Sequence, residues 1–337
     1  MDLNTLWFAL IAVLFMGFFF LEGFDYGVGI LHPFVAKTDE ERKAVIHTIG
    51  PVWDGNEVWM ITAGGAIFAA FPQWYATLFS GFYLALFLML VALILRGVGF
   101  EFRSKVPSPA WRNFWDWMIF FGSLVPALLW GVAVANLVRG VPIGPDMNYQ
   151  GSFWTLLNPY GLLGGIAAIF VFTFHGANFL SLKLPEAMAP RARAAGRMIA
   201  PIAVVLALLF VLGGYGYGLF SREGHLFAYL FALLAALGLL AGAFFRFQGE
   251  DGPAFWTAGL GVLFATATVF AGLYPYVMPS SLNPEWSLTV YNASASPYTL
   301  RVMTYVALVF TPLVLLYQGW TYWVFRGRVS LGGKGGY

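Results

Sequence analysis

Nine stretches of this chain are long and apolar enough to cross a lipid bilayer, and that property excludes most folds open to a chain of its length. They lie near residues 5–30, 50–71, 76–99, 114–138, 158–181, 198–220, 225–246, 253–276 and 301–325. A spanning helix needs about 20 mostly apolar residues. Inside the hydrocarbon each backbone polar group must be satisfied within its own segment, so helices are expected rather than open strands or loops. The chain is 60% hydrophobic and 10% charged, against roughly 45–50% apolar and 25% charged in soluble domains. The expected fold class is all-α integral membrane, a single membrane domain over 1–337 with no soluble part.

The connections are predicted to be short. Lys37–Lys43, Phe71–Gln73, Ser104–Pro109, Gly140–Tyr149, Pro185–Arg193 and Gln248–Pro253 are polar or marked by Pro and Gly, and only Met278–Thr299 is long. Their charge bias gives an orientation, because Lys and Arg accumulate in cytoplasmic loops. All basic residues except Arg139, Arg222 and Arg301 fall after the first, third, fifth and seventh spans or in the tail, with Lys334 the last of them. The N-terminus is therefore expected outside, the C-terminus in the cytoplasm, and the span count odd. Met1–Thr5 has no basic n-region and no small-residue cleavage site follows, so the first apolar stretch is expected to remain as helix one. A net charge of +2 without a basic block gives no reason to expect nucleic acid. Partners are expected within the membrane. The tail Leu331–Tyr337 is Gly-rich, and no internal repeat of the kind seen in inverted-repeat transporters is evident.

Two acidic pairs stand out against this apolar background, Glu22/Asp25 and Asp54/Glu57. A carboxyl at the bilayer centre costs about 2.5–3.5 kcal/mol on insertion scales. Each pair has i, i+3 spacing, which puts both side chains on one helix face. One reading is a proton relay, in which carboxyls in a wettable low-dielectric niche exchange protons near neutral pH. The other is structural, with ion pairs to Arg96 or Arg103, or Asp54 and Glu57 serving as a capping box. The predicted spans put both pairs near the cytoplasmic ends of helices one and two. Gly23, Gly27, Gly29 and Gly55 allow close helix or cofactor approach, small-residue packing being the commoner reason for such glycines.

With no cysteine, disulfides, Fe–S clusters and thiolate haem are excluded. Of the four histidines, His175 alone lies inside a predicted span, where it would be a haem ligand or an interhelical hydrogen-bond partner. His32, His47 and His225 are expected at interfaces. The tryptophans near the span ends form an aromatic belt.

Several blocks together resemble one family. Leu21-Glu22-Gly23-Phe24-Asp25-Tyr26-Gly27-Val28-Gly29 and Gly50-Pro51-Val52-Trp53-Asp54-Gly55-Asn56-Glu57-Val58-Trp59 are similar to the signature blocks of subunit II of cytochrome bd quinol oxidases. Arg96–Lys105, Trp111–Trp117, Leu157–Leu162 and Met278–Ser281 extend the likeness across nearly the whole chain. The resemblance implies nine transmembrane helices, a four-helix bundle over 1–140, a second over 150–276 and a peripheral helix over 301–325. It implies a heterodimer with a haem-bearing subunit I that holds two haems b and one haem d, supplies their ligands and oxidises quinol. It also places Asp54 on a cytoplasmic proton path with Asp25 close by, and Trp59 at a point of oxygen access from the lipid. Some relatives carry a structural quinone in this subunit, and this chain leaves open both that and any small accessory membrane subunit. Many relatives have His where Val52 stands, so a neighbouring carboxyl or water must serve the route here.

The sequence is thus read as a subunit of a menaquinol or ubiquinol oxidase in a bacterial or archaeal cell membrane. Asp54, Asp25, Glu57 and Glu22 would form a proton entrance, and proton motive force would arise from vectorial chemistry without a pump. The alternatives are an ion-coupled secondary transporter, in which the same carboxylates bind the coupling ion, and a scaffold that only stabilises its partner.

Overall fold

The computed structural model describes residues 2–331, so Lys334 and the Gly-rich end of the tail lie outside the described residues. The helices in chain order are α1 (Leu3–Val35), α2 (Asp39–Ile49), α3 (Trp53–Ala70), α4 (Pro72–Gly81), α5 (Tyr83–Phe102), α6 (Pro109–Arg139), α7 (Phe153–Leu156), α8 (Pro159–Lys183), α9 (Ala189–Gly216), α10 (His225–Gln248), α11 (Asp251–Leu273) and α12 (Pro297–Val324). A short antiparallel pair, β1 (Tyr276–Met278) and β2 (Leu288–Thr289), interrupts them before α12.

Helix boundaries follow local chemistry. Asp2 Oδ1 accepts the Thr5 N–H at 2.7 Å and caps α1, while Asn158 accepts from Gly161 at 2.9 Å and caps α8. Side-chain acceptors of this kind satisfy first-turn N–H groups that have no partner within the helix. At the other end of α10, Gly249 takes a φ of 88° and closes the helix in the left-handed conformation.

Among the described residues, eight helices are long and apolar enough to cross a membrane: α1, α5, α6, α8, α9, α10, α11 and α12. The second predicted span falls on α3, which has 18 residues. Asp54, Asn56 and Glu57 in its first turns make it too polar to qualify by the same measure. The third predicted span begins late, because α4 precedes α5 and the two meet at a bend on Phe82. Phe82 N–H still bonds to Leu78 O and Leu86 N–H to Phe82 O, so the backbone ladder runs through the bend.

Two further departures matter for the site. The stretch Lys37–Lys43, expected as a loop, opens the amphipathic helix α2. Thr38 and Glu41 form a reciprocal capping box there, a spacing the sequence carries openly. Helix α1 also continues through Pro33 to Val35, so Asp25 lies ten residues, about 15 Å, inside the helix rather than near its end.

Helix α1 is the central pillar and packs against α3, α6, α8 and α11. From Glu22 to His32 every residue is buried. The closest crossing is with α8 at Gly27 and Gly176, where a Cβ on Gly27 would fall 2.0 Å from the Phe172 carbonyl oxygen. Of the other glycines singled out, Gly23 packs on Phe172 and Gly29 on Ser123, while Gly55 has open space around it. Helix α12 differs from the rest. Only Leu300 is buried along it, and its contacts within the membrane are with α1 and α3. Between these three helices runs a groove of about 1200 Å³.

Candidate carboxyl cluster and its groove

The ends of α1, α5, α8, α10 and α12 and the starts of α3, α6, α9 and α11 share one face of the molecule, together with α2. This face bears most of the Lys and Arg and is called the basic end below. Deeper in, two acids on α1 and one on α3 gather around one arginine on α5. Glu22 and Asp25 on α1 and Arg96 on α5 are wholly buried, and the Glu57 side chain on α3 is 17% exposed. Arg96 Nη1 donates to Glu22 Oε1 and lies 3.5 Å from Glu57 Oε1. Its guanidinium also sits over the rings of Tyr26 and Phe100, at 5.0 and 5.5 Å from their centroids, which offsets part of the cost of removing a cation from water.

Asp25 has a different partner. Asn56 Nδ2 donates to Asp25 Oδ2 at 2.7 Å, and Asn56 is itself wholly buried. The Asn56 amide oxygen accepts from Tyr322 Oη at 2.8 Å and from Gln318 Nε2 at 3.3 Å, both on α12. Gln318 Oε1 accepts in turn from Trp59 Nε1 at 2.7 Å. Glu22 Oε2 and Asp25 Oδ1 have no hydrogen-bond donor. The two carboxyls stand three residues apart on one face of α1. Three acids around one arginine, with Glu57 Oε1 a third oxygen lacking a donor, can hold and pass protons.

Asp54 lies elsewhere. It is exposed in the first turn of α3 and lines the mouth of the groove with Lys43, His47 and Lys105. It caps nothing, because Val52 occupies the cap position of α3 without a side-chain bond. The capping-box reading of Asp54 and Glu57 is therefore corrected. Val52 is buried and offers no titratable group. Trp59 faces the groove, and its ring fills the space a Cβ on Gly17 would need, 2.2 Å from Cζ3.

Of the two arginines considered as partners, only Arg96 meets the acidic pairs. Arg103, two turns further along α5, binds Asp116 Oδ1 through Nε at 2.5 Å and Asp39 Oδ1 through Nη2 at 2.9 Å. The same Asp116 accepts from Arg42 and lies 2.6 Å from His32 Nε2. His32 is thus buried among these charged side chains at the basic end, three residues from the end of α1. The sequence reading did not single out Asn56, Gln318, Tyr322 or Asp116 for these roles.

His175 does not suit a haem iron. Its Nε2 engages the Phe20 carbonyl oxygen at 3.0 Å, and its ring stacks on Phe255 at 4.9 Å with an interplanar angle of 8°. This is the interhelical hydrogen bond that was the other reading of that residue. Among the described residues no group of three or more His, Asp or Glu side chains is arranged to hold a metal ion.

The profile of the family described as cytochrome bd terminal oxidase subunit II matches residues 3–325. The chain is 44% identical to cytochrome bd ubiquinol oxidase subunit 2 of Bacillus subtilis, over 98% of this chain and 97% of that one. It is 40% identical to cytochrome bd-I ubiquinol oxidase subunit 2 of Escherichia coli K12 and to a probable cytochrome oxidase subunit 2 of Haemophilus influenzae, in each case over 97% of this chain and 95% of the relative. The fold matches the bd oxidase structure from Geobacillus thermodenitrificans with a TM-score of 0.74 at 18% identity, covering 95% of this chain and 99% of that one. The chain is a multi-pass cell-membrane protein of the respiratory electron-transport machinery, and it belongs to the family of subunit II of cytochrome bd terminal oxidases.

Proposed function

We propose that this chain is the subunit of a quinol:dioxygen oxidoreductase that admits protons to the reaction, while a haem-bearing subunit I carries out the electron transfer. The carrying observation is the imbalance of the buried cluster, where Glu22, Asp25 and Glu57 surround Arg96 alone. Asp54 at the groove mouth is the entrance, and Glu57, Asp25 and Glu22 are the acceptors above it. Trp59, on the groove wall, is the point of oxygen access from the lipid.

In this reading α3 completes a set of nine crossings, with the N-terminus outside and the basic end in the cytoplasm. Residues 1–140 and 150–276 form two four-helix bundles, and α12 is the peripheral helix. Two haems b and one haem d are bound by subunit I, in keeping with the engaged His175 and His32 here. Ubiquinol, named in two of the relatives, or menaquinol is oxidised on the outer side and releases its protons there. Protons for water formation are drawn from the cytoplasm, so charge separates without a pump. Lipids and any structural quinone are lateral ligands of the complex.

In assembled complexes, Asp54→Asn and Asp25→Asn are expected to slow proton uptake and turnover by about tenfold or more, the scale of a lost proton-transfer group. Normal turnover and uptake in both variants would sink the proposal. A colourless protein that purifies without a second large subunit would instead mark an ion-coupled transporter. Loss of haem content with unchanged uptake in the surviving complexes would mark a scaffold.

A further inference from the structure

Hydrogen-bond direction along the chain Trp59–Gln318–Asn56–Asp25 can be deduced from one end. An indole N–H only donates, so the Gln318 atom at 2.7 Å from Trp59 Nε1 must be the amide oxygen. That turns the Gln318 NH2 toward Asn56, at 3.3 Å. The Asn56 atom facing it must then be Oδ1, which also takes the Tyr322 hydroxyl proton at 2.8 Å. The Asn56 NH2 is left to point at Asp25 Oδ2, at 2.7 Å. Amide orientations are fixed by such networks rather than by the shape of the group. Each link here permits one direction only.

We infer that Asn56 is a positioning residue, set by Gln318 and Tyr322 of α12, which occupies one oxygen of Asp25 and leaves the other as its proton-accepting end toward Glu22. The seating of α12 thereby governs the carboxyl pair. This deepens the proton-entrance reading and rests on it. Several observations support the inference together. Asn56 is wholly buried, so neither end of its amide has bulk water as a substitute partner. Asp25 Oδ1 and Glu22 Oε2 are, with Glu57 Oε1, the carboxyl oxygens left without donors. Helix α12 is otherwise almost uncovered, and beyond Tyr322 its end is tied down by Lys183 and Arg328. Lys183 Nζ donates to Gly327 O at 3.0 Å, Val329 N–H to Lys183 O at 2.8 Å, and Arg328 Nη1 to Leu184 O at 2.7 Å. The titratable and charged groups facing Asp25 are Glu22 on its own helix, Glu57 on α3, Arg96 on α5 and, across Asn56, Tyr322 on α12.

The test uses the assembled oxidase with Asn56→Leu, Tyr322→Phe and Asp25→Asn, alone and with Asn56→Leu and Asp25→Asn combined. Asn56→Leu is expected to slow turnover about tenfold and Tyr322→Phe about threefold, the range for a hydrogen bond to a charged group and to a neutral one. Both should move the pH profile of turnover and the infrared C=O band of the buried carboxyls, with haem content unchanged. Adding Asn56→Leu to Asp25→Asn should cost nothing further, because the two act as one unit. Wild-type turnover, pH profile and carboxyl band in both Asn56→Leu and Tyr322→Phe, beside a slow Asp25→Asn, would overturn the inference and leave the proton entrance standing. A normal Asp25→Asn would overturn the inference as well, and beside a normal Asp54→Asn it would overturn the proton entrance itself. If Asn56→Leu fails to assemble, Tyr322→Phe, which removes one oxygen atom, decides alone.

Discussion

Two ion clusters share helices α1 and α5, with Arg96 in one and Arg103 two turns away in the other, and they have opposite charge balances. At the basic end, Asp116 and Asp39 face Arg42, Lys43, Arg103, Arg112 and His32, and each oxygen of both acids has at least one of these partners. Deeper in, three acids face Arg96 alone and three carboxyl oxygens, one from each acid, have no donor. The first arrangement is saturated and ties α1, α2, α5 and α6 together. The second has acceptor capacity left over. Both pair carboxylates with guanidinium groups, so on the proposed reading whether a buried carboxyl is a brace or a proton carrier depends on how many donors surround it.

The largest expected effect comes from taking the single cation out of the acid-rich cluster. Arg96→Met leaves Glu22 buried and unpaired, a loss of about 3–5 kcal/mol, and should abolish recovery of haem-loaded complex on purification. A stable, loaded complex would mean that Glu22 is already neutral. In the saturated cluster, Asp116→Asn should lower stability by about 2 kcal/mol, the scale of a charged hydrogen bond lost, with turnover per haem unchanged. A selective loss of turnover there would erase the contrast between brace and carrier.

The smallest effect lies on the rim. Hydrogen bonds from Arg191 pull Glu41 down to about 2 from its ordinary 4.5. A depressed carboxylate stabilises the fold above its unfolded value, and that contribution is lost as pH falls from about 4.5 toward 2. Because the pair is partly solvated, about 0.5–1 kcal/mol is involved. Hydrogen exchange at the α2 amides should quicken over that window in the wild type and stay level in Glu41→Gln. Equal behaviour in the two would remove Glu41 from any part in holding α2.

How much of this was legible in the sequence depended on range. Apolar runs and i, i+3 acids are local patterns, so the spans and the two acidic pairs were visible, and the Glu22–Arg96 ion pair was one of the alternatives they raised. The split between the pairs was not visible. Asp25 went deep because α1 outruns its apolar stretch, and Asp54 stayed at the mouth because α3 starts without a cap. The residues that complete the cluster come from afar. Tyr322 is 266 positions from Asn56, and neither periodicity nor spacing links a tyrosine near the end of one span to an asparagine at the start of another. Helix α2 is the opposite case, since Thr38 and Glu41 announced it and the charge of the segment led to its being read as a loop.

Gln318 and Tyr322 follow Asn56 by 262 and 266 positions, so they leave the ribosome well after it. The carboxyls are synthesised long before the side chains that orient them. A nascent or truncated chain that lacks α12 therefore carries the acids with Asn56 free to turn, and the amide is set only once α12 has inserted. On the proposed reading, the order of synthesis keeps the proton route from forming before α12 is in place.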